Sequence, residues 1–171
     1  WQNIVSEAEQ ALISEPVLAP FLRATVTEHG DMGQALSYHL ASKLASTATP
    51  APLLRSIMDE AFAESEIIQS VARDIQATVD RDSACDLYSS PFLYFKGFLA
   101  LQAYRVAHHL WQRNNRSMAL LIQYRISLVF AVDIHPAAVI GAGVMIDHAT
   151  GLVIGETAVV EDCVSIMQSV T

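Results

Sequence analysis

The sequence predicts an α+β chain, with an N-terminal all-helical domain over residues 1–131 and the first coils of a left-handed parallel β-helix of hexapeptide repeats over 132–171. Three observations lead there. Apolar residues recur at helical spacing as far as about Ala131. A six-residue period begins at Asp133. Composition shifts at the same place: four of the seven glycines (Gly141, Gly143, Gly151, Gly155) fall in the last 39 residues, and no Lys or Arg follows Arg125.

In the first part, Met32, Leu36, Leu40 and Leu44 form one apolar stripe, and Ile67, Ile68, Val71, Ile75 and Val79 form another. Both read as the core faces of helices. Asp31 with Gln34 has the spacing of a capping box, Pro50 and Pro52 open a further helix, and Ser90-Pro91 sets a capping residue at a helix start. Six to eight helices are expected. The stretch Phe92 to Trp111 reads as one helix that is apolar on several faces, through Phe92, Tyr94, Phe95, Phe98, Leu99 and Leu101. Such a helix packs against more than its own neighbours, and a second subunit is one candidate partner. Lys96, Arg105, His108 and His109 interrupt it, which argues against a membrane span.

In the second part, aliphatic residues fall at Ile134, Ile140, Ile146, Ile154, Val160 and Ile166, with spacings of six, six, eight, six and six. Four residues after each comes a small or β-branched one: Ala138, Val144, Thr150, Ala158, Val164 and Val170. Each hexapeptide is expected to form one flat side of a coil and to point its aliphatic residue inward, onto the equivalents in neighbouring coils. The two extra residues fall within Asp147–Leu152, where the repeat carries its only Asp-His pair. An insertion at a corner re-aims side chains, so chemistry is expected there.

A chain of 171 residues with 52% hydrophobic composition can bury a real core. The formal charge of −8 and the lack of a basic stripe exclude a nucleic-acid phosphate backbone as partner. Cys85 and Cys163 form no C-x-x-C and no disulfide framework. Both read as small buried filler in a protein of the reducing cytoplasm. No charged-then-apolar leader precedes the first helix, so no secretory signal is seen.

The blocks Asp133-Ile-His-Pro-Ala-Ala-Val-Ile-Gly-Ala-Gly-Val-Met-Ile-Asp-His-Ala-Thr-Gly151, Ile154-Gly-Glu-Thr-Ala-Val159 and Val164-Ser-Ile-Met-Gln-Ser-Val-Thr171 resemble bacterial serine acetyltransferase, the first enzyme of cysteine biosynthesis. The stretch Tyr88 to Arg105 fits the same family, and the likeness extends more weakly back to Trp1. Hexapeptides alone would indicate only an acyltransferase superfamily; the Asp-Ile-His-Pro and Asp-His-Ala-Thr-Gly blocks are more specific. The resemblance implies acetyl-CoA as co-substrate, L-serine as acceptor, L-cysteine as feedback inhibitor, and a trimer or dimer of trimers.

Acetyl transfer from a thioester to a hydroxyl needs a base, and histidine is suited to that near neutral pH. His148 is the candidate, with Asp133 accepting a hydrogen bond from its other ring nitrogen. Fifteen residues, slightly less than one coil, separate them, so the two can approach around a corner. The alternative for His148 is an ordinary solvated corner residue. The resemblance implies that Asp147 and Asp82 hold the cationic amino group of serine, although Asp80, Arg81, Asp82 and Asp86 also read as a solvated loop. His135 and His148 are too few for catalytic zinc, which usually has three protein ligands, so no metal is expected. His135, before Pro136, reads as a packing or turn residue, Glu156 as a corner residue, and His29, His39, His108 and His109 carry no assigned chemistry.

The repeat stops after six hexapeptides with no capping segment, so the chain reads as truncated. In the resembled family, further coils supply a Gly-Gly turn, an Arg-His pair contacting serine, the acetyl-CoA groove and a tail that docks into cysteine synthase. The repeat here has five acids (Asp133, Asp147, Glu156, Glu161, Asp162) and no base to meet the phosphates of coenzyme A. No cofactor-binding residue is assigned, and the 171-residue piece is expected to be impaired as an enzyme because the acetyl-CoA-binding coils are absent. Two alternatives stay open: a related acyltransferase with another acceptor, and a non-catalytic trimerisation and docking module.

Overall fold

A computed structural model describes all residues from Trp1 to Thr171. Eight α-helices come first: α1 (Gln2–Ser14), α2 (Ala19–Leu22), α3 (Met32–Leu44), α4 (Ala51–Phe62), α5 (Ser65–Arg81), α6 (Ser89–Leu93), α7 (Lys96–Gln112) and α8 (Arg116–Phe130). Six short strands follow: β1 (Val132–Ile134), β2 (Val139–Ile140), β3 (Met145–Ile146), β4 (Leu152–Ile154), β5 (Val159–Val160) and β6 (Ser165–Ile166). Helix gives way to strand at Ala131, which caps α8 in the left-handed region with φ of 56°. The fold class is the one expected: helices, then parallel coils.

The strands pair β1 with β4, β2 with β5 and β3 with β6, all parallel. Each partner lies 20 residues further on, as in Val132 with Leu152, Val139 with Val159 and Met145 with Ser165. One coil of β1 to β3 thus stacks on a second of β4 to β6, and the period slips from 18 to 20 because of the insertion before β4. Ile134 stacks on Ile154, Ile140 on Val160 and Ile146 on Ile166, which is the aliphatic column expected. One slot differs. Thr150 is exposed, and Ala149 is fully buried in its place. The extra residues are taken up by left-handed backbone at His148 (φ 54°) and Ala149 (φ 64°), which turns the smaller side chain inward.

The helical stripes bury as expected, with Leu36, Leu40 and Leu44 at zero exposure on α3 and Val71 at zero on α5. Asp31 does cap α3, accepting from the Gln34 backbone N–H at 2.9 Å and from its Nε2 at 2.8 Å. Two other expectations change. The apolar run from Phe92 is not one helix, because the chain breaks at Tyr94 and Phe95 between α6 and α7. Ser90 is also not a cap: α6 begins one residue earlier, and Glu7 of α1 supplies the cap, its carboxylate accepting from the N–H groups of Tyr88 (3.2 Å) and Ser89 (2.7 Å). A carboxylate there satisfies orphan donors and meets the positive end of the helix dipole. Cys85 is buried, but Cys163 is exposed at a coil corner with φ of 64°, outside the aliphatic column.

Helix α7 joins the two parts, and its several apolar faces are used within the chain. It packs on α4, α5, α6 and α8 on one side and on β1 and β3 on the other. Along its length it bonds three carbonyls of the first coil. Tyr104 Oη donates to Ala138 O, Arg105 Nη2 donates to Gly141 O at 2.8 Å, and His108 Nδ1 meets Pro136 O at 2.7 Å. Helix α5 reaches the second coil: Arg73 Nη2 donates to Asp162 Oδ2 at 2.9 Å, and Arg81 lies against Val164 O and Ser165 Oγ. No helix is long and apolar enough to cross a membrane.

Candidate active site

The corner between β3 and β4 carries the Asp147-His148 pair, and its backbone dictates where the two side chains go. His148, Ala149 and Gly151 all have positive φ, a conformation that non-glycine residues adopt only under constraint. The constraint is visible. Ala149 is buried with no exposed surface, Gly151 N–H donates to Ala131 O at 2.8 Å, and Ser169 N–H donates to Thr150 O at 2.9 Å. The turn therefore expels His148, whose side chain is 70% exposed, while Asp147 remains at 27%.

The start of α7 comes up against this corner from the helical side. A Cβ on Gly97 would lie 2.1 Å from Ile146 O and 3.2 Å from Ala149 Cβ, so only glycine permits the approach. Lys96, just before it, donates from Nζ to Thr150 Oγ1. Asp82 arrives from the end of α5, where its Oδ1 accepts from Ala84 N–H at 2.9 Å and fixes the carboxylate in a local turn. The result is a cleft of about 340 Å³ lined by Asp82, Ala84, Phe95, Lys96, Gly97, Ile146, Asp147 and His148. Asp82 and Asp147, 65 residues apart in sequence, share it with the imidazole. The cleft thus brings together two carboxylates, one ammonium and one imidazole.

Asp133 is placed differently. Val132 and Ile134 on either side of it are fully buried, so Asp133 points out of the coil. Its Oδ1 accepts from Gln123 Nε2 of α8 at 2.7 Å. No hydrogen bond joins it to His148 within the chain. The nearest acid to that imidazole is Asp147, whose Oδ2 lies 3.6 Å from His148 Nε2, an ion-pair distance rather than a hydrogen bond. His135 lies edge-on to Trp111 at 5.0 Å, and its Nδ1 accepts from Ala137 N–H at 3.1 Å, a packing and turn role. Glu156 is an exposed corner residue. No group of three or more His, Cys, Asp or Glu side chains is arranged to hold a metal ion.

Residues 1–103 match the family model for the N-terminal part of serine acetyltransferase. The chain belongs to the serine acetyltransferase family. Over its whole length it is 55% identical to the serine acetyltransferase of Salmonella typhimurium and 52% identical to that of Haemophilus influenzae, covering 63% and 64% of those proteins. The chain thus spans slightly under two thirds of the length of these relatives. It superposes on the serine acetyltransferase of Vibrio cholerae with a TM-score of 0.97 at 52% identity, covering 99% of this chain and 66% of that one. A serine acetyltransferase of Neisseria gonorrhoeae in complex with serine matches at 0.96 and 46%, over 98% of this chain and 69% of that one. Serine acetyltransferase structures in complex with CoA and with cysteine each match at 0.96 and 52%, over 98% of this chain and 72% and 70% of theirs.

Sequence reasoning missed Lys96 and Gly97 as part of the cleft, and Gln123 as the partner of Asp133. For Gly97 a signal existed: a lone glycine inside an apolar helical stretch marks close backbone approach. Gln123 carries none, since one glutamine on a helix looks like any exposed polar residue.

Proposed function

We propose that the protein carrying this chain is a serine O-acetyltransferase, moving acetyl from acetyl-CoA to the hydroxyl of L-serine in cytoplasmic cysteine biosynthesis. The observation that carries this reading is the meeting of Asp82, Asp147 and His148 in one cleft of a serine acetyltransferase fold. The relatives' complexes with serine, CoA and cysteine support L-serine and acetyl-CoA as substrates and L-cysteine as an inhibitor that occupies the serine site.

In this mechanism the carboxylates of Asp82 and Asp147 take the ammonium group of serine by charge-assisted hydrogen bonds. That leaves the serine hydroxyl facing His148. A ring nitrogen of His148 accepts the hydroxyl proton as serine Oγ attacks the thioester carbonyl carbon; the C–O bond forms and the C–S bond breaks. The imidazolium then returns the proton to the departing thiolate, giving O-acetylserine and the free thiol. No covalent enzyme intermediate is needed. Asp133 is assigned to the other ring nitrogen. Gln123 holds its Oδ1 and leaves its Oδ2 without a hydrogen-bond partner in the chain, available to an imidazole N–H. The exposed Val139 and Val159, side by side on β2 and β5, support assembly of several copies through the coils.

The test is thiol release by the full-length protein from acetyl-CoA with serine, compared with other hydroxyl and amine acceptors. Serine is expected to be strongly preferred, and His148→Ala to lower kcat on the order of 10² or more. A better amine or sugar acceptor would replace serine in this reading. An unchanged rate in His148→Ala would remove the base.

A further inference from the structure

We propose that Lys96 is a positioning residue for this reaction, clamping the corner that carries His148 to the start of α7 through Thr150. The inference rests on the acetyl-transfer reading above and adds to it a residue which that reading does not use.

Three observations carry it. First, the backbone turn alone places the imidazole, because the ring makes no hydrogen bond, lies mostly in solvent and has only Asp147 Oδ2 nearby, at 3.6 Å. A base held that way is only as well placed as the turn beneath it. Second, that turn lies in sparsely populated backbone space at His148 and Ala149, and it persists only while its surroundings hold it. Third, the bond from Lys96 Nζ to Thr150 Oγ1 is the sole side-chain hydrogen bond made by any residue from Asp147 to Gly151. It spans 54 positions in sequence and ties the corner to the rigid helix whose Gly97 already touches Ile146 and Ala149.

Position and charge agree with this role. Lys96 is the only fixed cation among the residues lining the cleft, beside the carboxylates of Asp82 and Asp147. It therefore offsets part of the negative charge that gathers a cationic amino group there. Its ammonium is bonded to the corner and not to either acid, so both acids remain available to the substrate.

The experiment measures kcat and KM for serine and for acetyl-CoA in the full-length protein and in Lys96→Met, Thr150→Val, the double variant, and the conservative Lys96→Arg and Thr150→Ser. Misplacement by an ångström costs up to about a hundredfold, so kcat is expected to fall on the order of tenfold or more in each non-conservative single variant. KM for acetyl-CoA should stay within about twofold, and the double variant should be no worse than the poorer single, since both remove one contact. Lys96→Arg and Thr150→Ser should recover most of the rate. Thermal melting of each variant separates a local effect from unfolding, and the conservative pair keeps the test valid if Lys96→Met is unstable. Single variants at parental kcat, or losses that multiply in the double, would overturn the clamp while leaving the function standing. No turnover of serine by the unaltered protein would overturn both.

Discussion

At the residue scale, Asp82 and Asp147 have one job each if serine binds as proposed: each presents a carboxylate to the same ammonium group. A hydrogen bond to a charged group contributes about 1.5–3 kcal/mol, so Asp82→Asn and Asp147→Asn are each expected to raise KM for serine roughly tenfold to a hundredfold. KM for acetyl-CoA should barely move. Steady-state kinetics with each substrate varied in turn checks this, and equal increases in both KM values would point to general damage. These residues also show how far a site can be read in advance. Asp147 and His148 stood out because an insertion breaks a strict repeat, and a break in a period is local information. Asp82 was reached only through the family likeness, since its own surroundings, Asp80 and Arg81, are those of a solvated loop. Lys96 and Gln123 were invisible because what gives them a role is a partner 54 or 10 residues away across a turn of the fold.

At the element scale, the helices were legible as faces but not as ends. The stripes of α3 and α5 followed from spacing, whereas the break before α7 occurs inside an apolar run with no proline, and the cap of α6 comes from Glu7, 81 residues away. The start of α7 depends on Gly97. Alanine there would drive Cβ into Ile146 O at 2.1 Å, and backbone cannot yield as a side chain can. Gly97→Ala is expected to cost about 1–3 kcal/mol of stability through overpacking and to lower kcat by shifting the corner. Denaturant unfolding alongside kinetics would test it; a variant with parental values in both would show that the approach is looser than described. The seam between α3 and α6 makes a prediction in pH. His39 is buried on α3, with Nε2 at 3.0 Å from Leu93 O. Burial first, then the charge of Lys43, depresses its pKa from 6.5 to about 4. Between those values the unfolded chain binds a proton that the native chain refuses. Its contribution is therefore complete above pH 6.5 and falls away toward pH 4, by about 3 kcal/mol in all. His39→Gln, which cannot titrate, should show a shallower loss of unfolding free energy over that window, whereas parallel curves would mean that His39 is not held neutral.

At the scale of the whole molecule, the question is what keeps helices and coils in one register, because the cleft is built from both. The stacked coils were legible in their period, and the helical part in its stripes; the seam between them was not, since neither pattern says which helix meets which face. A buried ion pair sits in that seam. Asp74 of α5 has no exposed surface, and its Oδ2 accepts from Arg105 Nη2 (2.7 Å), Arg105 Nε (3.0 Å) and Gln102 Nε2 (3.1 Å) of α7. Its Oδ1 accepts from the Val144 N–H of the first coil at 2.9 Å, while Arg105 reaches on to Gly141 O. One carboxylate thus joins α5, α7 and the coil. Burial pushes this carboxyl above its usual range, and Arg105, Gln102 and the Val144 N–H pull it back. Removing one partner of such a pair strands the other, so Arg105→Met is expected to cost about 3–5 kcal/mol. The loss should be regional as well as global. In the parent the Val144 amide should exchange with deuterium only on global unfolding, and in Asp74→Ala it should exchange faster than the amides of α3, which does not touch the seam. If Arg105→Met unfolds within about 1 kcal/mol of the parent and Val144 remains as protected as α3, then apolar packing of α7 on β1 and β3 holds the two parts together without the ion pair.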